Sequence, residues 1–246
     1  INNLQLTIDN AQVTMDSLLL AVDNIQLAAG VRHSSLALSG KAEGTLERLW
    51  MDMSATVDVV AEDVKEFLPT DMQVKGRVKG NATIQMYLDD LMAMQLEKGK
   101  IKGDMQLIGV NYHADGIEAR LPNNRLQLEI PNSRPSRKEV DWLAATLHTD
   151  GGEVNMDTPL AAAFGKTQIA IEANNILGND PWWHATVALQ SDAQLHATMD
   201  SMDMTIAHPS VRAYAAYHTQ DTSKMPVLDA QVAFEHVKGY YTDIQV

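Results

Sequence analysis

The chain has 246 residues, 32 Asp+Glu against 19 Lys+Arg and no cysteine, giving a formal net charge of −13. That length buries one large core or two small ones, while the acidic balance removes the clustered cations with which proteins displace counterions from nucleic acid. Without cysteine there is no disulfide, thiolate metal site, iron–sulfur ligand or cysteine nucleophile, and the redox compartment stays open. The best apolar run, Ser17 to Val22, falls far short of the roughly 18 residues that a membrane-spanning helix needs. The chain opens on Ile1 with no basic leader or apolar signal region, so we expect a piece of a longer protein whose anchor or targeting signal lies outside it.

Gly (14) and Pro (8) are fewer than average usage would give, so turns are few for the length. Between them the sequence alternates with period two, the signature of strands with one apolar and one polar face. In chain order, Gly40-Lys-Ala-Glu-Gly44 precedes an alternating segment, and Val57 and Val59 flank Asp58. Ala61 to Leu68 breaks the period: Val64, Phe67 and Leu68 fall at i, i+3 and i+4 and stop at Pro69, which predicts a short amphipathic helix capping or gating one end. Gly76-Arg-Val-Lys-Gly80 and Gly99-Lys-Ile-Lys-Gly103 repeat the earlier motif. In each copy two glycines share a face with one central apolar residue, so each copy is expected to curve the sheet. Leu126, Leu128 and Ile130 alternate with Gln127 and Glu129. Residues 133–138, with Pro135 and three basic residues, read as a loop between an N-terminal part, 1–132, and a continuation, 139–246. Asn174 to Pro181 is a second loop. Val187 and Leu189, then Leu195, Ala197 and Met199 beyond Ser191-Asp192, read as a hairpin, followed by Met202, Met204 and Ile206.

Candidate chemistry is sparse. Gly165-Lys166-Thr167 resembles the end of a phosphate-binding loop, but position 160 is Leu where that motif needs Gly. No G-x-S-x-G elbow is present, and the eight histidines lack the short spacings of metal motifs. Asp200 to Asp203 lacks the Gly and terminal Glu of a calcium loop. No catalytic residue, metal site or cofactor is expected. Thirteen methionines against thirteen aromatic residues leave two readings: a core packed with flexible fillers, or an adaptable apolar surface for varied ligands.

The alternating strands, the Gly-x-x-x-Gly starts and above all the segment Leu96-Glu-Lys-Gly-Lys-Ile-Lys-Gly-Asp-Met-Gln-Leu-Ile-Gly-Val110 resemble the AsmA-like family of Gram-negative envelope proteins, which includes the translocation and assembly module type. The resemblance covers most of the chain and is best between Ser35 and Pro131. It implies an inner-membrane-anchored periplasmic protein, a long curled β-sheet, and a part in moving phospholipid towards the outer membrane.

The expected fold is therefore all-β: a long, curled, mainly antiparallel sheet forming an open hydrophobic groove, with one or two short helices. Some fifteen strands about 4.8 Å apart would give a groove of roughly 70 Å. Its lining is drawn from Leu36, Leu38, Val57, Val59, Ile84, Met86, Leu88, Ile101, Met105, Leu107, Leu126, Leu128, Ile130, Val187, Leu189, Leu195, Met199, Met204 and Ile206. The expected partner is a phospholipid or other acyl-chain lipid, with no nucleic acid, with membrane contact through segments outside this chain and with envelope proteins at its ends. Two other functions fit the same letters: a structural or adhesive β-repeat sandwich, and an enzyme acting on an envelope polymer through carboxylates that only the fold brings together. Unpaired edges of such a sheet are a self-association risk.

Overall fold

A computed structural model describes residues 3–8, 11–14, 19–45, 47–63, 65–67, 72–157, 160–175, 181–199, 202–221 and 223–241. Strands make up 72% of it and helical turns 6%, in one large open antiparallel sheet, so no layer of helices supplies a core. The strands are β1 (Asn3–Ile8), β2 (Ala11–Thr14), β3 (Leu19–Val31), β4 (Ser34–Thr45), β5 (Leu49–Val60), β6 (Gln73–Tyr87), β7 (Lys100–Ala114), β8 (Ile117–Ile130) and β9 (Leu143–Thr149). There follow β10 (Gly152–Met156), β11 (Leu160–Phe164), β12 (Thr167–Ala173), β13 (Trp182–Ser191), β14 (Gln194–Met199), β15 (Met202–Ala207), β16 (Ser210–His218), β17 (Val227–Ala233) and β18 (His236–Tyr241). One α-helix, α1 (Leu88–Met92), joins β6 towards β7.

From β3 to β8 each strand pairs with the next. Beyond β8 the sheet continues as two parallel legs. The C-terminal half of β8 pairs with β9, which leads through β12, β13 and β16 to β17. The N-terminal half pairs with β10, which leads through β11, β14 and β15 to β18. Each strand position in this half is thus one long strand interrupted in the middle, at Asp150-Gly151, Gly165-Lys166, Asp192-Ala193, His208-Pro209 and Phe234-Glu235. With β1 and β2 likewise both pairing β3, the eighteen strands occupy twelve positions abreast. At about 4.8 Å per strand the sheet is some 53 Å long, shorter than the sequence suggests because six positions hold two strands each.

The interruptions line up and continue into β8 and β7 at Pro122 and Gly109. Proline brings no N–H, and Gly109 takes φ +61°, a left-handed conformation that costs a glycine little. Such irregularities bend a strand, so in register they crease the sheet. The backbone groups they free are met by small polar side chains facing one another across the strands: Asn124, Thr149, Thr167 and Ser191, all buried. The Thr149 hydroxyl donates to the Gly151 carbonyl (2.9 Å), Thr167 to that of Gly165 (3.0 Å) and Ser191 to that of Lys166 (3.1 Å). The Gly-Lys-Thr triplet is therefore a crease element. The expected hairpin at Ser191-Asp192 is also corrected: both edges of β13 are taken by β12 and β16 and both edges of β14 by β11 and β15, so the two strands run end to end.

The amphipathic helix is replaced by two 3-10 turns, Ala61–Asp63 and Lys65–Phe67, while Val64 and Leu68 lie outside the described residues. Too few residues precede Pro69 for a helix nucleus to repay its cost. Asp63 is also drawn back to the β3–β4 turn, accepting from the His33 amide (2.8 Å) and the Ser34 hydroxyl (2.9 Å).

Residues 131–142 form a strap across the polar face, and strand pairing continues on either side of it. The Asn132 amide donates to the Asp141 carbonyl (2.9 Å), Ser136 binds Glu172 on β12 through its amide (2.8 Å) and hydroxyl (2.6 Å), and Arg137 reaches Asp229 on β17 (3.1 Å). Arg137 also sits over the Tyr214 ring at 4.0 Å. Val140 of the strap packs with Tyr214 and Ala216 of β16 in a buried apolar cluster.

Candidate lipid-facing surface

Because side chains in an antiparallel sheet stand beside those of their register partners, a pattern of period two within strands becomes continuous rows across them. Leu36, Val57, Gly80, Met105 and Leu126 stand opposite one another on β4 to β8, and the row continues through Leu147, Ile169, Leu189, Val211 and Val232. Two residues along, Leu38, Ala55, Ala82, Gly103 and Leu128 lead to Ala145, Ile171, Val187, Ala213 and Ala230. A third row holds Gly40, Met53, Ile84, Ile101 and Ile130, and Val59, Val78 and Leu107 run beside the crease. Beyond the crease, Phe164, Leu195, Ile206 and Val237 form one row, and Ala162, Ala197, Met204 and Gly239 another, with Met199 opposite Met202. None of these positions is charged.

Eighteen of the nineteen expected lining residues lie in these rows or, for Met86, one step beyond the third. Leu88 does not: it opens α1, turned out of the strand where β6 ends. Met86 and Ile130 are fully buried at 0% and 2% exposure, so both are packing residues rather than open lining. The sequence reading passed over Leu147, Ile169, Ile171, Val211 and Val232, although Ile169 and Ile171 alternate with Gln168 and Glu172 in the same way.

Three of the six repeat glycines stand against a methionine. A Cβ on Gly40 would lie 2.8 Å from both the Cα and the sulfur of Met53; on Gly80, 2.8 Å and 2.7 Å from those of Met105. On Gly99 it would lie 2.8 Å from Met86 Cβ. At Gly40 and Gly80 the nearest obstacle is the carbonyl oxygen of Asp52 or Asp104, at 2.1 Å, with the methionine close behind it. Curvature, the expected role, fits Gly76 better, since the β6–β7 register shifts between Lys75 and Arg77.

The apolar face is uncovered. Leu36, Ile171 and Val187 are 37–39% exposed, and the cluster of buried apolar side chains found among the described residues lies at the strap on the opposite face. The accessible surface is 15932 Å², about one and a half times the roughly 10,900 Å² that size scaling gives a closed monomer of 27.1 kDa.

The other face carries the charges, arranged as cross-strand pairs. Arg77 binds Asp58 through Nε (2.5 Å) and Nη2 (2.7 Å), Arg125 binds Asp104, and Lys102 binds Glu129 at 2.9 Å. Hydrogen bonds from these cations hold the carboxyls of Asp58, Asp104 and Glu129 below their ordinary values. A carboxyl lowered by folding stabilises the fold fully above its unfolded pKa, near 3.8 for Asp and 4.5 for Glu, and loses that contribution as the pH falls through its lower folded value. Thermal melts should therefore be flat down to about pH 5 and decline below about pH 4, more gently in Arg77→Ala and Arg125→Ala. A decline that the two variants leave unchanged would show that these pairs do not carry it.

Among the described residues no group of three or more His, Asp or Glu could hold a metal, and no helix is long and apolar enough to cross a membrane. No protein-family model, curated protein or solved structure matches the chain.

Proposed function

We propose that the chain is a non-enzymatic lipid-binding domain that holds acyl chains against its apolar face, as the resemblance to the AsmA-like family suggests. The observation that carries this reading is the set of uncharged apolar rows, in register across ten strand positions and left without a covering layer. Burying a methylene contributes roughly 0.8 kcal/mol, so an acyl chain lying across several strands gains enough to leave water while its head group stays at the rim. Away from the crease the backbone under it is paired strand to strand, so a chain can slide along the rows over a surface with few unpaired donors. Soft methionines against glycines present a surface that adapts to chains of different shape. Within the same reading, the domain works in the periplasm and helps lipid pass between the two membranes.

Native mass spectrometry of the purified chain, followed by lipid extraction, tests this. Co-purifying phospholipid, or uptake of a fluorescent phospholipid by lipid-free protein, is the expected result. A chain that carries none and takes up none belongs instead with structural β-repeat proteins.

A further inference from the structure

Residues 88–99 join β6 to β7, two neighbouring strands that both lie inside the sheet, where a two-residue turn would suffice. The charged side chains of this turn are tied down at its base. Asp90, 4% exposed, accepts from Lys98 Nζ (3.1 Å) and faces Arg48 of the β4–β5 turn (3.5 Å), while its carbonyl accepts from the Gln95 amide (2.8 Å). Arg48 also pairs with Asp89 (3.6 Å) and lies 4.0 Å over the Tyr87 ring, which meets Trp50 edge-on. The two cations and two carboxylates cancel. Beyond them stand Met92, 78% exposed, Ala93 and Met94, 58% exposed, with no charge at the tip. Met94 takes φ +56°, a left-handed conformation that a methionine adopts only at a cost. A buried ionic hub and a strained backbone thus hold two apolar side chains out in water, the reverse of what folding alone favours.

We propose that this turn is the chain's contact with a phospholipid bilayer: Met92 and Met94 enter the acyl region of one leaflet, while Arg48, Trp50, Tyr87 and Lys98 sit at head-group level. The proposal rests on the lipid-binding reading above and adds where lipid is loaded. Three observations select a bilayer as the occupant. The order along the turn, an uncharged tip backed by Trp, Tyr, Arg and Lys, is the one that segments at a membrane interface adopt. The tip holds no aromatic or arginine anchor of the kind protein interfaces are built around, whereas unbranched thioethers suit a fluid surface. The root of the turn adjoins the apolar face, because Gly99 packs on Met86, one step beyond the third apolar row. The described turns at the other end of β3 to β8 present charge instead: Arg32 and His33, Glu62, Lys65 and Glu66, and Asp115. A net charge of −13 opposes attraction to anionic lipid, so the contact should form on zwitterionic lipid and resist salt.

The chain has no cysteine, so Met92→Cys can carry a single environment-sensitive dye, and His33→Cys, whose side chain is 83% exposed at the opposite end, carries the same dye as the control. With phosphatidylcholine vesicles the dye at position 92 should brighten and shift to the blue, equally at about 0.1 M and about 0.5 M salt, and the dye at position 33 should not respond. The variant carrying Met92→Asp and Met94→Asp should keep its circular dichroism, since both side chains are exposed. It should take up fluorescent phospholipid from vesicles about tenfold more slowly, yet retain phospholipid delivered in detergent as well as the unaltered chain does. A dye at position 92 that ignores vesicles overturns the proposal, as does an equal response at both positions or uptake that the double substitution leaves unchanged. A response at position 92 to protein concentration in place of vesicles also overturns it and marks a second copy as the occupant. Failure of the unaltered chain to retain phospholipid delivered in detergent overturns the lipid-binding reading instead, and the dye at position 92 then decides the bilayer contact by itself.

Discussion

Replacing Val187 by Asp, or Leu36 by Asp, should abolish most of the lipid retention proposed above while leaving the chain folded. Both residues lie on the apolar face, Val187 39% and Leu36 37% exposed, so a carboxylate there keeps access to water in the lipid-free protein and costs about 1 kcal/mol or less. Under an acyl chain the same carboxylate loses its hydration with no partner in the rows to replace it, and affinity should fall about a hundredfold, close to 2.8 kcal/mol. The two sites are seven strand positions apart, about 34 Å, so a similar loss from each alone marks one continuous surface. Gln190→Asp on the polar face of β13 is the control and should leave retention unchanged. Equal losses from all three variants would reflect net charge rather than a lined surface and would remove the support for the proposed function.

Met86→Ala should cost about 2–5 kcal/mol of stability, the largest loss of any single truncation of a methionine in this sheet. Met86 is fully buried against Gly99 where β6 meets the turn into β7, and deleting its side chain leaves a cavity that the backbone on either side cannot close. For a chain of this size the melting temperature should drop by about 5–15 °C. Met105→Ala is the counterpart: Met105 lies over Gly80 in the open row and is only half-buried, so its loss should cost about 1.5 kcal/mol or less. Calorimetry of the two variants decides the matter, and equal costs would mean that the apolar face is covered after all.

Much of the fold was legible because a period of two is a local signal. Val57, Leu126 and Leu128 declare a face through their immediate neighbours, whatever the strands pair with. The charged partners alternate in the same way, and the structure sets Asp58 beside Arg77 and Asp104 beside Arg125 on the opposite face. The crease was not legible, because its letters carry other meanings in sequence: Gly165-Lys166-Thr167 reads as part of a phosphate loop and Ser191-Asp192 as a hairpin turn. What makes them crease residues is that Thr149, Thr167 and Ser191 fall in register on three strands, which only pairing can establish. Leu88 was misplaced for a related reason: alternation carries it on from Met86, and nothing before it signals that the strand stops at Tyr87.

By itself the sequence determined that this protein is a two-faced antiparallel sheet, acidic and polar on one side and aliphatic on the other, because strand side chains alternate whatever their partners are. Only the tertiary structure decided that the aliphatic side stays open, that Met53, Met86 and Met105 pack against glycines, and that 131–142 straps the polar face instead. Those outcomes depend on which strands become neighbours and in which register, a choice made by contacts between residues far apart in the chain.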